Sequence, residues 1–564
     1  MKKFCLAILI VISTTQFLQA QINSTKLLTK KPFEYDKTVF DIQLTANWNN
    51  PYLQEDVALD MLITSPSGKS LTLPCYYEQG DSGKISLWKA RFAPQETGKY
   101  SYAFRLNKAG KTVNTTAPGS FYSHPSKRNG FLHIKNNWAL QFDNGKPFRG
   151  LGEDIAWESR WHDDSQFFKV LHENPKYNYE YMLRSLAKHG GNFYRTWISS
   201  FNLPVDWQKG FNSQRYTPSD KYFNPSAIAK MDRLVTLSDS LGVYMMLTLG
   251  QGAYHTREGG FSPTVADFFV NPKSKERYKN RLRYFIARWG YSTSIGAWEL
   301  FNEVDNVQFG NKNNPISADS IVQWHDEMST YIKQTDPYNH LVTTSISHRD
   351  LKGLNSLPNM DFNQKHIYKN TASIPAAIVQ YEKNFNKPYV IGEFGYEWDW
   401  SKNFDDFAEG MDSDFKRGLW YGLFSPTPVL PMSWWWEYFD NRGTDAYFLR
   451  VKAIQNEMLA AGNGTFEQVP VTSTNAGIIT YSVKCGNKVF VYVFNPDVET
   501  KKIDLDLNVT LKRDYKTVAY DCETGKYGKA GEINISTNNV KFEGVELSGK
   551  IDKVFVITEN TASK

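Results

Sequence analysis

Two glutamates stand where an apolar run gives way to polar residues. Glu303 lies in the string WELFNEVD, and Glu393 lies in KPYVIGEFG, 90 residues further on. A carboxylate in such a place faces partial desolvation, which needs a compensating role. Two carboxylates facing each other are the minimum set for cleaving a glycosidic bond. One gives a proton to the leaving oxygen, and the other, ionised, attacks the anomeric carbon. Their surroundings must then push their pKa values apart. The plain alternative for both is an ordinary salt-bridged carboxylate at a strand end. The aromatic content adds weight, with 16 Trp, 32 Tyr and 36 Phe. Fourteen of the Trp fall between residues 138 and 436. Some of these serve packing, whereas Trp157, Trp161, Trp197, Trp398 and Trp400 follow expected strand ends, where rings could stack on a sugar.

The elements that must position these groups are legible as alternation. Between residues 128 and 462, eight apolar strand-like runs alternate with amphipathic helix-like stretches. The runs are Phe148–Ile155, Asn192–Ile198, Val243–Leu249, Ile295–Phe301, Leu341–Ile346, Asp361–Tyr368, Tyr389–Phe394 and Val429–Trp436. The expectation is a central (β/α)8 TIM barrel flanked by two β-sandwich domains. A strand–helix unit takes roughly 30 residues, so the spacing places Glu303 after strand four and Glu393 after strand seven. Both then lie at the C-terminal mouth, where such barrels carry their chemistry. An open doubly wound sheet is the rival, but no glycine-rich phosphate loop follows the first run. Glu153 and Asp154, after strand one, read either as sugar-hydroxyl ligands or as loop acids.

The flanks differ in pattern. Residues 22–124 and 465–564 consist of short alternating runs between turn signals, which predicts an N-terminal Ig-like and a C-terminal β-sandwich. Residues 1–21 read as a signal peptide, with Lys2-Lys3, the apolar run Phe4–Ile12 and cleavage near Ala20. A secreted or periplasmic protein without a membrane span follows. The net charge of +6 is well mixed, with no basic run, which argues against nucleic-acid binding. Of four cysteines, Cys5 leaves with the leader. Cys75, Cys485 and Cys522 are too widely spaced for a metal motif, and no cofactor is expected. Cys485 and Cys522 could pair or stay free.

The quoted strings resemble the signature strands of the retaining (β/α)8 glycosidases, the clan that includes the cellulase-like glycoside hydrolase family 5. The resemblance implies that Glu303 is the acid/base, Glu393 the nucleophile and Asn302 the ligand of the sugar 2-hydroxyl. It implies further that Arg195, in GGNFYRTW, holds the nucleophile carboxylate, and that His366 and Tyr368, in KHIY, match the clan's His-x-Tyr. The run Trp434-Trp435-Trp436 resembles the strand-eight tryptophan that floors the sugar site. Period-2 alternation puts Trp434 and Trp436 on one face, and these two are expected in the substrate site. One departure stands out: family 5 usually carries a His near the end of strand three, and this chain has Thr248-Leu249-Gly250-Gln251 there. The implied function is a secreted retaining glycoside hydrolase acting on β-linked polysaccharide or oligosaccharide. The alternatives are an inactive carbohydrate-binding barrel and a transglycosylase or lyase on the same scaffold.

Overall fold

The computed structural model describes residues 20–210, 213–250, 262–310, 316–511, 515–529, 533–536 and 539–559. The leader up to residue 19, and Gln251, lie outside the described residues. The chain divides into two compact units, Met1–Pro125 and Ser126–Lys564.

The first unit holds two antiparallel sheets. Thr38–Thr45 pairs with Gln21–Leu27 on one side and Ile85–Phe92 on the other, and Tyr76–Gln79 completes that sheet. Val57–Thr64 lies between Ser70–Pro74 and Gly98–Lys108 in the second sheet, which continues to Lys111–Thr115 and Gly119–Ser123. The period-2 alternation seen in the sequence becomes burial: Phe40, Ile42 and Leu44 are buried together with Trp88, Ala90 and Phe92 of the neighbouring strand.

The second unit opens on a small antiparallel sheet, Leu132–Ile134, Leu140–Phe142 and Pro147–Phe148. Seven parallel strands follow: β1 (Gly152–Asp154), β2 (Phe193–Trp197), β3 (Tyr244–Thr248), β4 (Ile295–Glu299), β5 (Leu341–Thr343, continuing as Ser345–Ile346), β6 (Asn363–Tyr368) and β7 (Tyr389–Gly395). The longer helices among the described residues are α1 (Tyr179–Lys188), α2 (Pro225–Leu241), α3 (Pro272–Trp289), α4 (Ala318–Thr335), α5 (Ile374–Phe385), α6 (Ala408–Leu423) and α7 (Phe448–Gly462). Between β5 and β6 stands a single 3-10 turn, Leu354–Ser356, in place of a helix. Local chemistry sets the helix ends. Asn178 and Asn224 accept backbone N–H groups at the starts of α1 and α2, Pro225 opens α2, and Gly242 ends it in the left-handed region.

The expected eighth strand, Val429–Trp436, is not a regular strand. Pro428 and Pro431 have no N–H to give to a ladder. The run nevertheless bridges both neighbours: Val429 pairs with Gly150, and Ser433 pairs with Glu153 of β1 and Phe394 of β7. Trp434 N donates to Phe394 O at 3.1 Å, and Asp154 N donates to Ser433 O at 2.9 Å. From Trp436 the chain is already helical, over Trp436–Arg442. A single buried cluster draws Phe193, Met246, Ala297, Leu341, Phe362, Val390, Val429 and Met432 together with Leu132, Leu140, Phe142 and Phe148 of the opening sheet. These strands thus share one buried core with the small opening sheet.

The end of the chain forms a six-stranded and a four-stranded antiparallel sheet. Val489, Val491, Val493 and Phe555 of one meet Ile503, Leu505, Val540 and Phe542 of the other. Cys485 and Cys522 are buried free thiols and do not pair, and Cys75 is buried as well. No helix among the described residues is long and apolar enough to cross a membrane.

Candidate active site

The C-terminal ends of the parallel strands carry a buried charge network centred on Arg195. This residue projects from the middle of β2 and is fully buried. A guanidinium has five donors in a fixed fork, and an isolated one would be costly here. Every direction of the fork is taken. Nε and Nη2 grip Glu299 at the end of β4, at 2.6 and 2.8 Å. Nη1 reaches Asp154 of β1 at 3.1 Å and Glu393 of β7 at 2.6 Å. Nη2 also donates to Asn302 Oδ1 at 2.6 Å.

Glu393 is held from two sides. Arg195 takes Oε1, and the Tyr368 hydroxyl donates to Oε2 at 2.6 Å. A distortion in strand pairing aims it. On β6 and β7, Lys365 pairs with Ile391 but His366 pairs with Glu393, so Gly392 is the extra residue of a β-bulge. The bulge turns His366 and Glu393 to the same side. A methyl group at Gly392 would stand 1.9 Å from Gln364 Oε1, so the Gln364 side chain would have to shift to admit one.

Glu303 arrives differently. The turn after β4 puts it in the left-handed region, at φ 49°. For a residue with a Cβ this strain is of order 1–3 kcal/mol and persists only where the surroundings impose it. Here the Glu303 N–H is tied to Ser345 Oγ of β5 at 2.9 Å. Its carboxylate accepts from Asn306 Nδ2 at 2.9 Å. His366 Nδ1 lies 2.8 Å from Glu303 Oε1 and 3.3 Å from Glu393 Oε2, so a proton on Nδ1 serves either carboxylate. One ligand-type atom from each of Glu303, His366 and Glu393 falls within 4.8 Å of the others. Such a triad could also offer three ligands to a metal, although Arg195, Tyr368 and Asn306 already occupy its carboxylates.

The electrostatics separate the acids. Burial pushes the Glu393 carboxyl above its usual range, against the pull of His366 and Arg195, and Glu303 adds to the rise. Burial acts on Glu299 as well, but the two-pronged Arg195 contact holds it below the ordinary range. Burial drives Asp154 well up despite Arg195. Of the three acids on Arg195, only Glu299 is thus held below the ordinary range. Burial also raises Tyr368, with Glu393 next, so the phenol stays a donor.

These groups open into a cavity of about 960 Å³. Asn302, Glu303, His366, Tyr368, Glu393 and Trp434 line it. Two of the expected substrate ligands do not. Arg195 lies beneath the floor with its donors spent on protein groups, so it positions rather than binds. Trp436 is buried against Trp157 and Trp434, with ring centroids 5.1 and 5.4 Å apart. The alternation that paired it with Trp434 fails because the strand ends before Trp436 begins a helix. Trp435 borders the cavity instead, its Nε1 donating to Glu397 O at 2.6 Å. Trp157, Trp197, Trp398 and Trp400 border it as well, and Trp398 and Trp400 are exposed. Glu153 and Asp154 are buried and do not. Sequence reasoning passed over Glu299, whose signal was the period-2 register that turns it inward with Ala297. It gave no role to Thr248, which donates to Glu299 Oε2 at 2.8 Å.

Comparison with known proteins bears on this site. Residues 161–412 match the model of the cellulase family (glycosyl hydrolase family 5), and residues 33–107 match a domain of unknown function, DUF5060. Mannan endo-1,4-beta-mannosidase A of Podospora anserina is 25% identical over 254 residues, covering 38% of this chain and 64% of that protein. Mannan endo-1,4-beta-mannosidase 2 of Arabidopsis thaliana is 25% identical over 284 residues, covering 43% and 58%. The matches span between 43% and 64% of the length of these curated relatives and of a third from Aspergillus terreus. A crystal structure of a candidate glycoside hydrolase from Bacteroides vulgatus shares the fold, with TM-score 0.64 and 15% identity over 94% of this chain and all of that one.

Proposed function

We propose that this chain, whose central region is a family 5-like glycoside hydrolase domain, is a retaining glycosidase that cleaves β-linked polysaccharide, with β-1,4-mannan the leading substrate. The observation that carries this reading is the meeting of Glu303 and Glu393, with carboxylate oxygens within 4.8 Å, across His366. Retention needs carboxyl groups about 5–5.5 Å apart, and inversion needs room for a water at about 6.5–9.5 Å. The shorter spacing favours retention. The mannan preference rests on the names of the curated relatives.

In this mechanism Glu393, fixed by Arg195 and Tyr368, attacks the anomeric carbon and forms a covalent glycosyl-enzyme. Glu303 gives its proton to the leaving oxygen and then takes one from the water that releases the sugar. Asn302, oriented by Arg195, holds the 2-hydroxyl as charge develops at the anomeric centre. The strand order supports a closed (β/α)8 barrel over 128–462, set between β-sandwiches at 22–124 and 465–564. The leader in residues 1–21 supports export to the periplasm or the medium.

Azide rescue tests the chemistry. Glu393→Gly should lose turnover by several orders of magnitude. Sodium azide should then restore cleavage of an activated aryl β-mannoside and give a glycosyl azide of inverted configuration. Glu303→Ala should slow substrates with poor leaving groups far more than activated ones. An NMR time course whose first-formed sugar is inverted would overturn the mechanism. A product with an unsaturated ring would point to a lyase.

A further inference from the structure

We infer that Glu397 is a positioning residue: held between Lys369 and Lys402, it fixes the segment after β7 and with it Trp398 and Trp400, two side chains of the cavity wall. The inference rests on the glycan reading of the cavity and deepens it.

Exposed aromatic side chains in a loop need something other than packing to hold them. Trp398 and Trp400 border the cavity, yet they keep 59% and 43% of their surface in solvent. Burial stabilises in proportion to the apolar area removed from water, so these rings contribute little to fixing their own segment. Glu397, one residue earlier, is 5% exposed and supplies the anchor. Its Oε1 accepts from the N–H groups of Trp398 and Asp399, at 2.9 and 3.1 Å, and from Lys369 Nζ at 2.8 Å. Its Oε2 accepts from Lys402 Nζ, so the carboxylate also closes the segment on itself. Its carbonyl accepts from Trp435 Nε1. Burial pushes the Glu397 carboxyl up, but the bonds from the two lysines and the two N–H groups hold it well down, at about 2. The clamp therefore stays charged across neutral and mildly acidic pH.

Lys369 joins this clamp to the strand that carries Tyr368. Its backbone lies in the left-handed region, at φ 63°, a conformation that a lysine keeps only where its surroundings impose it. Its N–H donates to Gly395 O at 2.9 Å, which ties the end of β6 to the end of β7. Its ammonium reaches Glu397 and also lies 5.2 Å from the centre of the Trp398 ring, within the range of a cation–π contact. One residue thus meets the segment through its backbone, an ion pair and a ring. None of these contacts involves Glu303 or Glu393. The clamp sets where the wall stands and leaves the ionisation of the two acids to Arg195, Tyr368 and His366.

The test uses the full chain and two readouts. Glu397→Gln keeps an oxygen for the two N–H groups but offers neither lysine a charge. Lys369→Met removes the cation and keeps the stem, and Lys369→Arg returns the cation. Hydrogen exchange read by mass spectrometry over residues 396–403 should be faster in the first two variants, by about 3- to 10-fold, and close to the unmutated rate in the third. Exchange over β7 itself should stay unchanged. With mannohexaose as substrate, KM should rise about 3- to 10-fold in the first two variants while kcat stays within about twofold, the pattern of lost binding rather than lost chemistry. Lys369→Arg should bring KM back. If Glu397→Gln does not fold, Lys369→Met, at the more exposed end of the pair, carries the test. Unchanged exchange in both variants would overturn the clamp. Faster exchange with an unchanged KM, or a fall in kcat with KM unchanged, would overturn the positioning role. Should the unmutated chain leave mannohexaose intact, the mannan reading falls, and the exchange rates alone decide whether Glu397 holds the segment.

Discussion

Tyr368 shows how one hydroxyl can set a pH profile. Its O–H bonds Glu393 Oε2 at 2.6 Å, and a hydrogen bond to the charged form of an acid lowers its pKa. Burial already pushes Glu393 upward. Removing the phenol oxygen with Tyr368→Phe should raise it further. The nucleophile must be ionised, so the acidic limb of kcat/KM should move to higher pH while the alkaline limb stays in place. At the optimum, kcat/KM should fall by about 10- to 100-fold, the worth of one hydrogen bond to a charged group. A profile that loses height without moving its acidic limb would mean that Tyr368 acts on the substrate rather than on Glu393. Arg195 makes the complementary point. It is the most heavily bonded side chain of the site, yet it is fully buried, and its role is to hold four partners at once.

At the scale of elements, the site depends on two departures from regular geometry. One is the left-handed turn that delivers Glu303 after β4. The other is the bulge at Gly392, which puts His366 and Glu393 on one face of β6 and β7. The bulge gives a sharp prediction. Gly392→Ala drives a methyl group into Gln364, whose side chain is buried with no partner among the described residues. Overpacking of this kind destabilises by about 1–3 kcal/mol. Gly392→Ala with Gln364→Ala should recover much of that loss, because the second change removes the obstructing atoms. Thermal unfolding of the two single variants and the double variant measures the coupling. Additive losses would show that Gly392 is needed for its backbone conformation and not for the space beside it.

On the scale of the whole molecule, the second unit is joined through a buried ion pair. Arg417 of α6 meets Asp552 and the Tyr492 hydroxyl from the six-stranded sheet, beneath the ring of Phe494. Trp420 of α6 stacks on Tyr492, with centroids 5.8 Å apart. Removing one partner of a buried pair strands the other charge and costs about 3–5 kcal/mol, whereas replacing both with apolar residues is close to neutral. Asp552→Ala should therefore lower the melting temperature strongly. Arg417→Met with Asp552→Leu should restore most of it. Calorimetry should show a single transition across residues 126–564. Two separated transitions in the unmutated chain would show that the C-terminal sheets fold apart from the catalytic region. Arg149 ties the same unit together elsewhere: fully buried, it donates to the carbonyls of Gly422, Leu423, Ser425 and Thr427 where α6 ends.

How much was readable in advance follows from the range of each interaction. Periodicity is local, so β2, β3 and β6 lie close to the runs Asn192–Ile198, Val243–Leu249 and Asp361–Tyr368 that it predicts. The pairing of a glutamate after strand four with one after strand seven was also visible, because apolar runs ending in polar groups are a one-dimensional signal. The strand-eight run was misread, since its prolines break a ladder that hydrophobicity alone cannot reveal. Trp436 was misplaced for the same reason, as period 2 holds only while the strand lasts. Arg195 was expected to hold Glu393 and does, but its other partners were beyond the sequence. Glu299, Asp154 and Thr248 are far apart in the chain, and the charge state of the two acids depends on a burial that exists only once the strands share one core. Residue types and periodicity thus determined which groups were available and which element carries each. Only the tertiary structure decided which of them face the cavity and which spend their charge on one another, because burial and hydrogen-bond satisfaction are properties of neighbours in space.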